Sequence, residues 1–418
     1  YIQTDCRGYG STGNGDIAFV FAPRPMHSTA SDTRQLLFLL TLAAFASSAS
    51  FRVCDPMLPG LAGQFGASTA EVALIITGFT IAYGAMQLVY GPLGERFERF
   101  TIITRATALC AVGSVGAALA PSLELLTACR ILTGVAAAGI IPMSLATVSD
   151  LVPADQRQAT LARLFSGQIL GMVFGQVLGG LCVDLGLWRL AFGVLTGLYL
   201  LIAFALGRQA HLGAATRGGG PSGASVASLY RTALGLLVAA ETRGVMACFF
   251  VEAALVFGVL AFLPLYLHQH FGLALAQATL PLLLYGAGGL LFSFAAGRLG
   301  GRMNHRAFPV GAACLVALAN VVAVVAAHPG WIFAAALLSG FGYYQLHSAL
   351  LFQITQRAPA ARSLALALSI SLFFVGQSVG VFAAGWLVDQ GQIMMVFISA
   401  ALGMPLLGLA VGRQIRPT

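Results

Sequence analysis

The sequence contains no lysine and very little charge of any kind. All 22 basic residues are arginines, and charged residues make up only 9% of the 418 positions, whereas 58% are hydrophobic. A soluble protein of this length could not cover its surface with so few charges. The composition therefore excludes an ordinary soluble protein and favours one whose solvent is a lipid bilayer.

Metal, redox and nucleotide motifs are also missing from the sequence. The seven cysteines form no Cys-x-x-Cys pair and mostly fall within apolar runs, where they are typical small fillers. No phosphate-binding loop, catalytic triad or metal cluster is evident, and the net charge of +8 is scattered along the chain. We therefore expect no cofactor, no enzymatic chemistry and no nucleic-acid partner.

What the sequence does contain is a series of apolar runs of about 20 residues, each long enough to cross a bilayer core of about 30 Å as a helix. Helices are expected because backbone polar groups have no other partner in lipid. We predict an all-α membrane protein with twelve spans, at 36–58, 71–91, 101–120, 123–148, 160–182, 188–207, 244–267, 273–296, 308–327, 330–352, 362–387 and 392–412.

The arginines mark one side of the predicted membrane. The termini and the even-numbered connections between spans carry many of them, whereas the odd-numbered connections carry only Arg189. By the positive-inside rule, both termini and the central connection are cytoplasmic. We therefore predict a multi-pass protein of the inner (plasma) membrane.

Repeated motifs indicate an internal duplication. The stretch Gly-Pro-Leu-Gly-Glu-Arg-Phe-Glu-Arg begins at Gly91, and a similar stretch begins at Gly297, 206 positions later (297 − 91). Two further sets of residues repeat in the same order, namely Gly171, Gly175 and Asp184 in the first half and Gly376, Gly380 and Asp389 in the second. The sequence therefore predicts two parallel six-helix bundles, with a substrate site between them near the membrane midplane.

The chain divides into four predicted segments. A disordered tail at 1–35 precedes a first bundle at 36–207, a flexible Gly-rich cytoplasmic linker at 208–243 and a second bundle at 244–418. Because the sequence opens without methionine, we expect translation to start at Met26.

With these motifs in view, the chain resembles the major facilitator superfamily of transporters from about Met26 to the C-terminus, and it is similar to the twelve-span drug:proton antiporter branch. The loop signature of the superfamily is Gly-x-Leu-x-Asp-Arg-x-Gly-Arg-Arg. It is matched by Gly91, Leu93, Glu95, Arg96 and Arg99, with Glu95 in place of Asp and Glu98 in place of Gly.

The resemblance implies that this loop latches the two halves together in an outward-facing state. Glu95 and Arg99 are four residues apart and can pair on one helical turn, and Asp150 is a further partner for the arginines. Arg302, in the second copy of the motif, is assigned to the same gate. The alternative is a solvated loop that only fixes the topology.

Charged residues within the predicted spans are candidates for proton coupling, because charge inside a membrane is costly. The resemblance links Arg130 to the fourth-span arginine of the family and Asp55 to the first-span Asp-x-x-Leu-Pro pattern. Protonation of Asp55 or Glu252 would then weaken pairing with Arg130. Alternatively, Asp55 forms a structural pair with Arg52, three residues before it. Glu252, which has no family counterpart, is either a proton site or a contact for a cationic substrate.

Glycines in the fifth span resemble the antiporter signature Gly-x-x-x-Gly-Pro-x-x-Gly-Gly, although Gln176 replaces the proline and weakens this signal. We expect a ridge for close packing against a second-half helix, formed by Gly171, Gly175, Gly179 and Gly180.

Aromatic and amide side chains indicate a cavity for an amphipathic organic molecule. Tyr83, Gln87, Tyr343, Gln345 and Gln377 are the candidates, and each can alternatively form an interhelical hydrogen bond. We predict a monomeric secondary transporter that exports a small organic compound in exchange for protons by alternating access. The alternatives are an uptake symporter or facilitator for a sugar or metabolite, and a transport-inactive membrane receptor on the same fold.

Overall fold

The structure is a computed structural model that describes residues 30–209, 226–299 and 306–414. Within these ranges the chain forms the all-helical, twelve-span arrangement that the sequence predicts. In the described part of the chain, eleven helical segments are long and apolar enough to cross a membrane. The remaining span, Pro329–Arg357, has 29 residues, and it is less apolar because it carries Tyr343, Gln345 and His347.

Helix bounds follow the predicted spans closely. The spans of the first half are Ala30–Arg52 continued by Leu58–Phe65, Thr69–Arg96, Arg99–Leu119, Leu123–Ala137 continued by Ile140–Leu151, Ala154–Asp184 and Trp188–Arg208. Those of the second half are Ala240–Phe271, Leu275–Ala278 continued by Leu280–Leu299, Ala307–Val325, Pro329–Arg357, Arg362–Asp389 and Ile393–Gln414.

Prolines explain why two spans of the first half are interrupted. Proline lacks a backbone N–H and clashes with the preceding turn, so it ends a helix or begins a new one. In the first span, Pro56 lies in a 3-10 turn, Asp55–Met57, between the two helical pieces. In the fourth span, Pro142 lies in the first turn of the second piece. The first of these breaks places Asp55 inside the span rather than at its end.

The two halves pack in the same way. In the first half the first span packs along the fifth, the second along the fourth and the third along the sixth, and the equivalent spans of the second half repeat these pairings. Between the halves, the second span packs along the eleventh and the fifth meets the eighth. The contact of the second span with the eleventh is equivalent to that of the eighth with the fifth, and this equivalence supports the predicted duplication.

The glycine ridge of the fifth span packs differently from the prediction. A Cβ added at Gly171, Gly175 or Gly179 would overlap a backbone carbonyl oxygen of the first span, so these glycines let two helices of the same half approach closely. The expected second-half partner is therefore wrong for these three residues. Gly180 does meet the second half, since its Cβ would lie 3.0 Å from Ala276.

The central connection is more ordered than its composition indicates. A helix, Val226–Val238, lies within the segment predicted as a flexible linker, and the seventh span begins at Ala240 rather than near residue 244. The Gly-rich part of this linker, most of the N-terminal tail and Arg302 lie outside the described residues.

The membrane faces can be named by their arginines. The Arg-rich face carries the turns near Arg99 and Arg357, where the second and tenth spans end. The Arg-poor face carries the starts of the second and eighth spans, at Thr69 and Leu275.

Candidate functional site

Asp55, the acid predicted in the first span, lies in a buried network of charged and amide groups. Only 2% of the residue is exposed. Arg52 Nη1 donates a hydrogen bond of 2.9 Å to Asp55 Oδ2, which is the pair that their three-residue spacing allows. The same oxygen accepts a bond of 3.3 Å from Gln176 Nε2 on the fifth span. The second oxygen, Oδ1, is buried and has no hydrogen-bond partner among the described residues.

Gln176 is the member of this network that sequence reasoning missed. In the sequence it is notable only because it stands where the antiporter signature has proline. Its amide instead joins the fifth span to the carboxylate of Asp55. The available signal was a large polar residue on a glycine-lined helix, because buried polar groups need hydrogen-bond partners.

Arg130, the predicted mid-membrane arginine, lies beside this network and is 1% exposed. Its Nη1 donates a bond of 3.1 Å to Ser50 Oγ, and its guanidinium carbon lies 4.2 Å from the centre of the Phe79 ring. Nε and Nη2 have no hydrogen-bond partner in the described part of the chain. The expectation that Asp55 pairs with Arg130 is corrected, because Arg52 holds the carboxylate while Arg130 acts on it electrostatically from a greater distance.

Glu252 belongs to a second buried network, in the other half of the molecule. Its side chain is fully buried, and Oε2 lies 2.9 Å from Nδ1 of His347 on the tenth span. Oε1 has no hydrogen-bond partner within the described ranges. The imidazole stacks on Tyr343, with ring centres 5.4 Å apart, and meets the ring of Phe373 at 5.2 Å. The sequence did not predict that His347 is the partner of Glu252.

Aromatic rings connect the two networks across the boundary between the halves. The guanidinium carbon of Arg52 lies 4.7 Å from the centre of the Phe257 ring on the seventh span. Phe257 lies 5.4 Å from Phe373, which in turn contacts the imidazole of His347. The first-half cation therefore rests directly on the aromatic cluster that packs against His347, the partner of the second-half acid.

Three of the residues predicted for a substrate cavity lie in buried positions near this boundary. Tyr83 packs against Phe374 of the eleventh span, with ring centres 4.8 Å apart, and Tyr343 packs on His347. Gln377 is 1% exposed, and its Oε1 has no hydrogen-bond partner among the residues that the structure describes.

The other two cavity candidates form interhelical bonds within one half. Gln87 Nε2 donates to the carbonyl oxygen of Ala138 at 3.5 Å, and Gln345 Nε2 donates to that of Phe308 at 3.0 Å. For Gln87 and Gln345 the structural alternative describes the contacts better than the predicted cavity.

The loop motif at the Arg-rich face is described only in part. Arg99 Nε donates a bond of 3.1 Å to the carbonyl oxygen of Gly94, which ties the start of the third span to the end of the second. A Cβ at Gly91 would meet open space. The predicted latch stays a prediction, because the side chains of Glu95, Arg96 and Asp150 and the whole of Arg302 lie outside the described part.

Two aspartates join the halves at the Arg-poor face. Asp184, at the end of the fifth span, accepts backbone hydrogen bonds of 3.0 and 2.9 Å from Leu275 and Ala276 at the start of the eighth. Asp389, at the end of the eleventh span, accepts bonds of 2.7 and 2.8 Å from the first two N–H groups of the second. The first N–H groups of a helix lack partners within it, and its dipole favours an anion there. Each carboxylate therefore caps a helix of the opposite half.

A family model described as Major Facilitator Superfamily matches residues 40–368 and 245–417 of this chain. Among curated proteins, the chloramphenicol resistance protein of Streptomyces lividans is 27% identical over 355 residues, which is 82% of this chain and 86% of that protein. The uncharacterised transporter YgaY of Escherichia coli O157:H7 is 32% identical over 176 residues, 41% of this chain and 44% of its own length.

The multidrug resistance protein MdtD of Klebsiella pneumoniae is 28% identical over 162 residues, 39% of this chain and 34% of its own. The matched stretch therefore spans less than half the length of YgaY and of MdtD, whereas the Streptomyces protein is matched over most of its length.

Solved structures with the same fold are also transporters. A bacterial homologue of the human lysosomal transporter Spinster, in an inward-facing conformation, has a TM-score of 0.69 at 16% identity, covering 93% of this chain and 95% of that chain. The nucleoside transporter NupG has a TM-score of 0.72 at 13% identity, covering 92% and 100%. At these identities the similarity establishes the fold alone.

Proposed function

The chain belongs to the major facilitator superfamily, and from that premise we propose that it exports a small organic compound in exchange for protons by alternating access. Family membership makes it a multi-pass membrane transporter. The observation that carries the proposal is the pair of buried acids, Asp55 and Glu252, one in each half. Ionisable groups within membrane spans are costly and are typical of proton and substrate pathways.

Relatives named for drug resistance support export as the direction of transport. The relative matched over most of its length is named for chloramphenicol resistance, and MdtD is named for multidrug resistance. The aromatic cluster around Tyr343, Phe257 and Phe373 favours an organic substrate with an apolar surface. Arg52, Arg130, Asp55 and Glu252 are the charged residues on which coupling would act.

In the proposed arrangement the Arg-rich face and both termini are cytoplasmic, in the inner (plasma) membrane, as the positive-inside rule favours. A single chain supplies both sides of the central boundary, so the proposed functional unit is a monomer.

In the proposed cycle, the Arg-poor face and the Arg-rich face close in turn. In this proposal, the state in which Asp184 and Asp389 hold the Arg-poor face together is the one that loads substrate from the cytoplasm. Release on the other side then requires these bonds to break while the loop around Arg99 closes the cytoplasmic face. Protonation of a buried carboxylate changes the charge balance at the boundary, so protons and substrate can shift this equilibrium in opposite directions.

The experiment measures flux into inside-out vesicles that contain the purified protein. The probe is the compound with the largest shift of Tm in a ligand screen that starts from chloramphenicol. An acidic lumen is expected to drive accumulation of the probe, and a protonophore is expected to abolish it.

The other outcomes separate the alternatives. Loss of preloaded probe together with protons indicates a symporter, and equilibration that ignores the gradient indicates a facilitator. Binding without any movement indicates a receptor. Each of these three results contradicts proton-coupled export.

A further inference from the structure

We propose that Glu252 and His347 form the proton-exchange site, and that His347 carries protons between water and the buried carboxylate of Glu252. The inference rests on the proposed proton-coupled export and states which of the two buried acids performs the coupling. It is carried by the different partners and the different exposure of the two acids.

The two buried acids have partners of different chemistry. Asp55 is held by Arg52, and a guanidinium stays protonated at any physiological pH. Protonating Asp55 would therefore leave a buried, unpaired cation, which is costly. Glu252 is instead held by His347, whose imidazole has two ring nitrogens that can each donate or accept a proton. The Glu252–His347 pair can therefore redistribute a proton without leaving an isolated permanent charge.

The exposure of the two side chains also differs within the pair. The Glu252 side chain is completely buried, whereas 21% of the His347 side chain is exposed. Nδ1 of the imidazole faces Glu252, so Nε2 is the ring nitrogen left for exchange. His347 can therefore take up a proton first and pass it to Glu252, which has no exposed side-chain surface of its own.

The transfer step balances without a further reactant. A hydronium ion gives a proton to Nε2 of neutral His347, and the proton on Nδ1 passes to Oε2 of Glu252. The products are water, the Nε2-protonated tautomer of His347 and a neutral carboxylic acid. The reverse sequence returns the proton to water and restores the carboxylate.

No permanent cation contacts the pair among the residues that the structure describes. Three titratable groups interact electrostatically with Glu252: Tyr343 on the tenth span, Tyr285 on the eighth, and Cys248 on the seventh span with Glu252 itself. Phenols and thiols ordinarily ionise above neutral pH, so they contribute no charge there. Arg52 of the first half acts electrostatically on both tyrosines.

The site lies where a charge change can affect the other half. His347 packs against Phe373, which packs against Phe257, and the guanidinium of Arg52 rests on the Phe257 ring. These contacts form a continuous path from the Glu252–His347 pair in one half to Arg52 in the other. A change in the charge of the pair can therefore alter the packing at the boundary between the halves, which is the effect that a proton needs in order to promote the change of state.

The test is infrared difference spectroscopy of the carboxyl C=O stretch, with the full chain in proteoliposomes titrated from about pH 8 to about pH 5. The wild type is expected to show a protonated-carboxyl band. Glu252→Gln should lose this band and all gradient-driven flux, and Asp55→Asn should keep the band. Glu241→Gln, an exposed acid on the same span, is the matched control and should behave like the wild type.

The role of His347 is tested by chemical rescue. His347→Ala should slow gradient-driven flux by about 100-fold or more, as expected when a proton-transfer group is lost, while the Glu252 band remains. Added imidazole should restore flux in His347→Ala and have no effect in Glu252→Gln. A normal rate in His347→Ala, or no rescue, would overturn the carrier role.

Other outcomes are equally distinct. If the band survives in Glu252→Gln and vanishes in Asp55→Asn, the proton site is in the first half, and this inference fails while proton-coupled export stands. If wild-type flux ignores the pH gradient, export by proton exchange fails first. Should Glu252→Gln not fold, Glu252→Asp keeps a carboxyl group, and a shifted band identifies the site in the same way.

Discussion

Asp184 and Asp389 occupy equivalent positions in the two halves, and each carboxylate caps a helix that belongs to the other half. The fifth span thereby holds the eighth, and the eleventh holds the second. A helix cap contributes about 0.5–2 kcal/mol. Two caps of this size favour a closed Arg-poor face without locking it, which suits a face that must open during each transport cycle.

Neutralising these caps should therefore open the Arg-poor face. Asp184→Asn or Asp389→Asn removes the charge that interacts with the helix dipole and weakens two hydrogen bonds. If each substitution costs about 1 kcal/mol, the ratio of open to closed molecules rises roughly fivefold, and the double variant gains more. Pulsed EPR between spin labels at Gly63 and Gln392, one in each half, measures the longer distance of the open state.

A matched control is available on the same face. Glu124 is an exposed acid at the start of the fourth span, and it forms hydrogen bonds with Ser122 and with its own backbone, both in the first half. Glu124→Gln should leave the distance distribution unchanged. An unchanged distribution in the Asp184→Asn, Asp389→Asn double variant would show that these bonds do not determine the state of this face.

The fold could be predicted from the sequence because the membrane imposes simple rules on length and charge. Apolar runs long enough to cross a bilayer predict spans, and the repeat around Gly91 and Gly297 predicts two related halves. The Arg52–Asp55 pair could also be predicted from the sequence, since a spacing of three residues brings two side chains together on one helical turn.

Partners on different spans could not be predicted in this way. Gln176 meets Asp55, and His347 meets Glu252, only because their helices pack at a particular rotation. Sequence spacing carries no information on that rotation. Helical periodicity, however, could have separated Gln345 from the cavity candidates, because Tyr343 and His347 share a face that a residue between them does not.

Close packing of the fifth span against the first should be sensitive to a single methyl group. A Cβ at Gly175 would overlap the carbonyl oxygen of Ala49, which belongs to the backbone and cannot rotate away. Gly175→Ala should lower the stability of the purified protein by about 1–3 kcal/mol, as overpacking usually does. Gly193→Ala, where an added Cβ meets nothing within 4 Å, is the control. Equal Tm values for the two variants would contradict the packing described.

The latch predicted from the loop motif can be tested through Arg99. Arg99→Ala removes the bond to Gly94 that joins the second and third spans, and it should reduce turnover severely while probe binding remains measurable. Arg105→Ala, an exposed arginine on the third span, should transport normally. Flux and equilibrium binding in proteoliposomes distinguish the two effects. Wild-type turnover in Arg99→Ala would show that the loop motif only fixes the membrane topology and does not act as a latch.

The Arg52–Asp55 pair should behave as a buried ion pair with fixed charge. Asp55→Asn leaves the guanidinium of Arg52 buried without its counter-ion, and breaking such a pair costs about 3–5 kcal/mol. The double variant Arg52→Gln, Asp55→Asn removes both charges and should recover much of this loss. Gln176→Leu removes one hydrogen bond to the charged carboxylate and should cost about 1.5–3 kcal/mol, less than the loss of the counter-ion. Thermal melting of the four proteins ranks them, and Asp55→Asn must be the least stable. If Asp55→Asn is as stable as the wild type, Asp55 is already neutral in the wild type. Asp55 would then again be a candidate for the proton site.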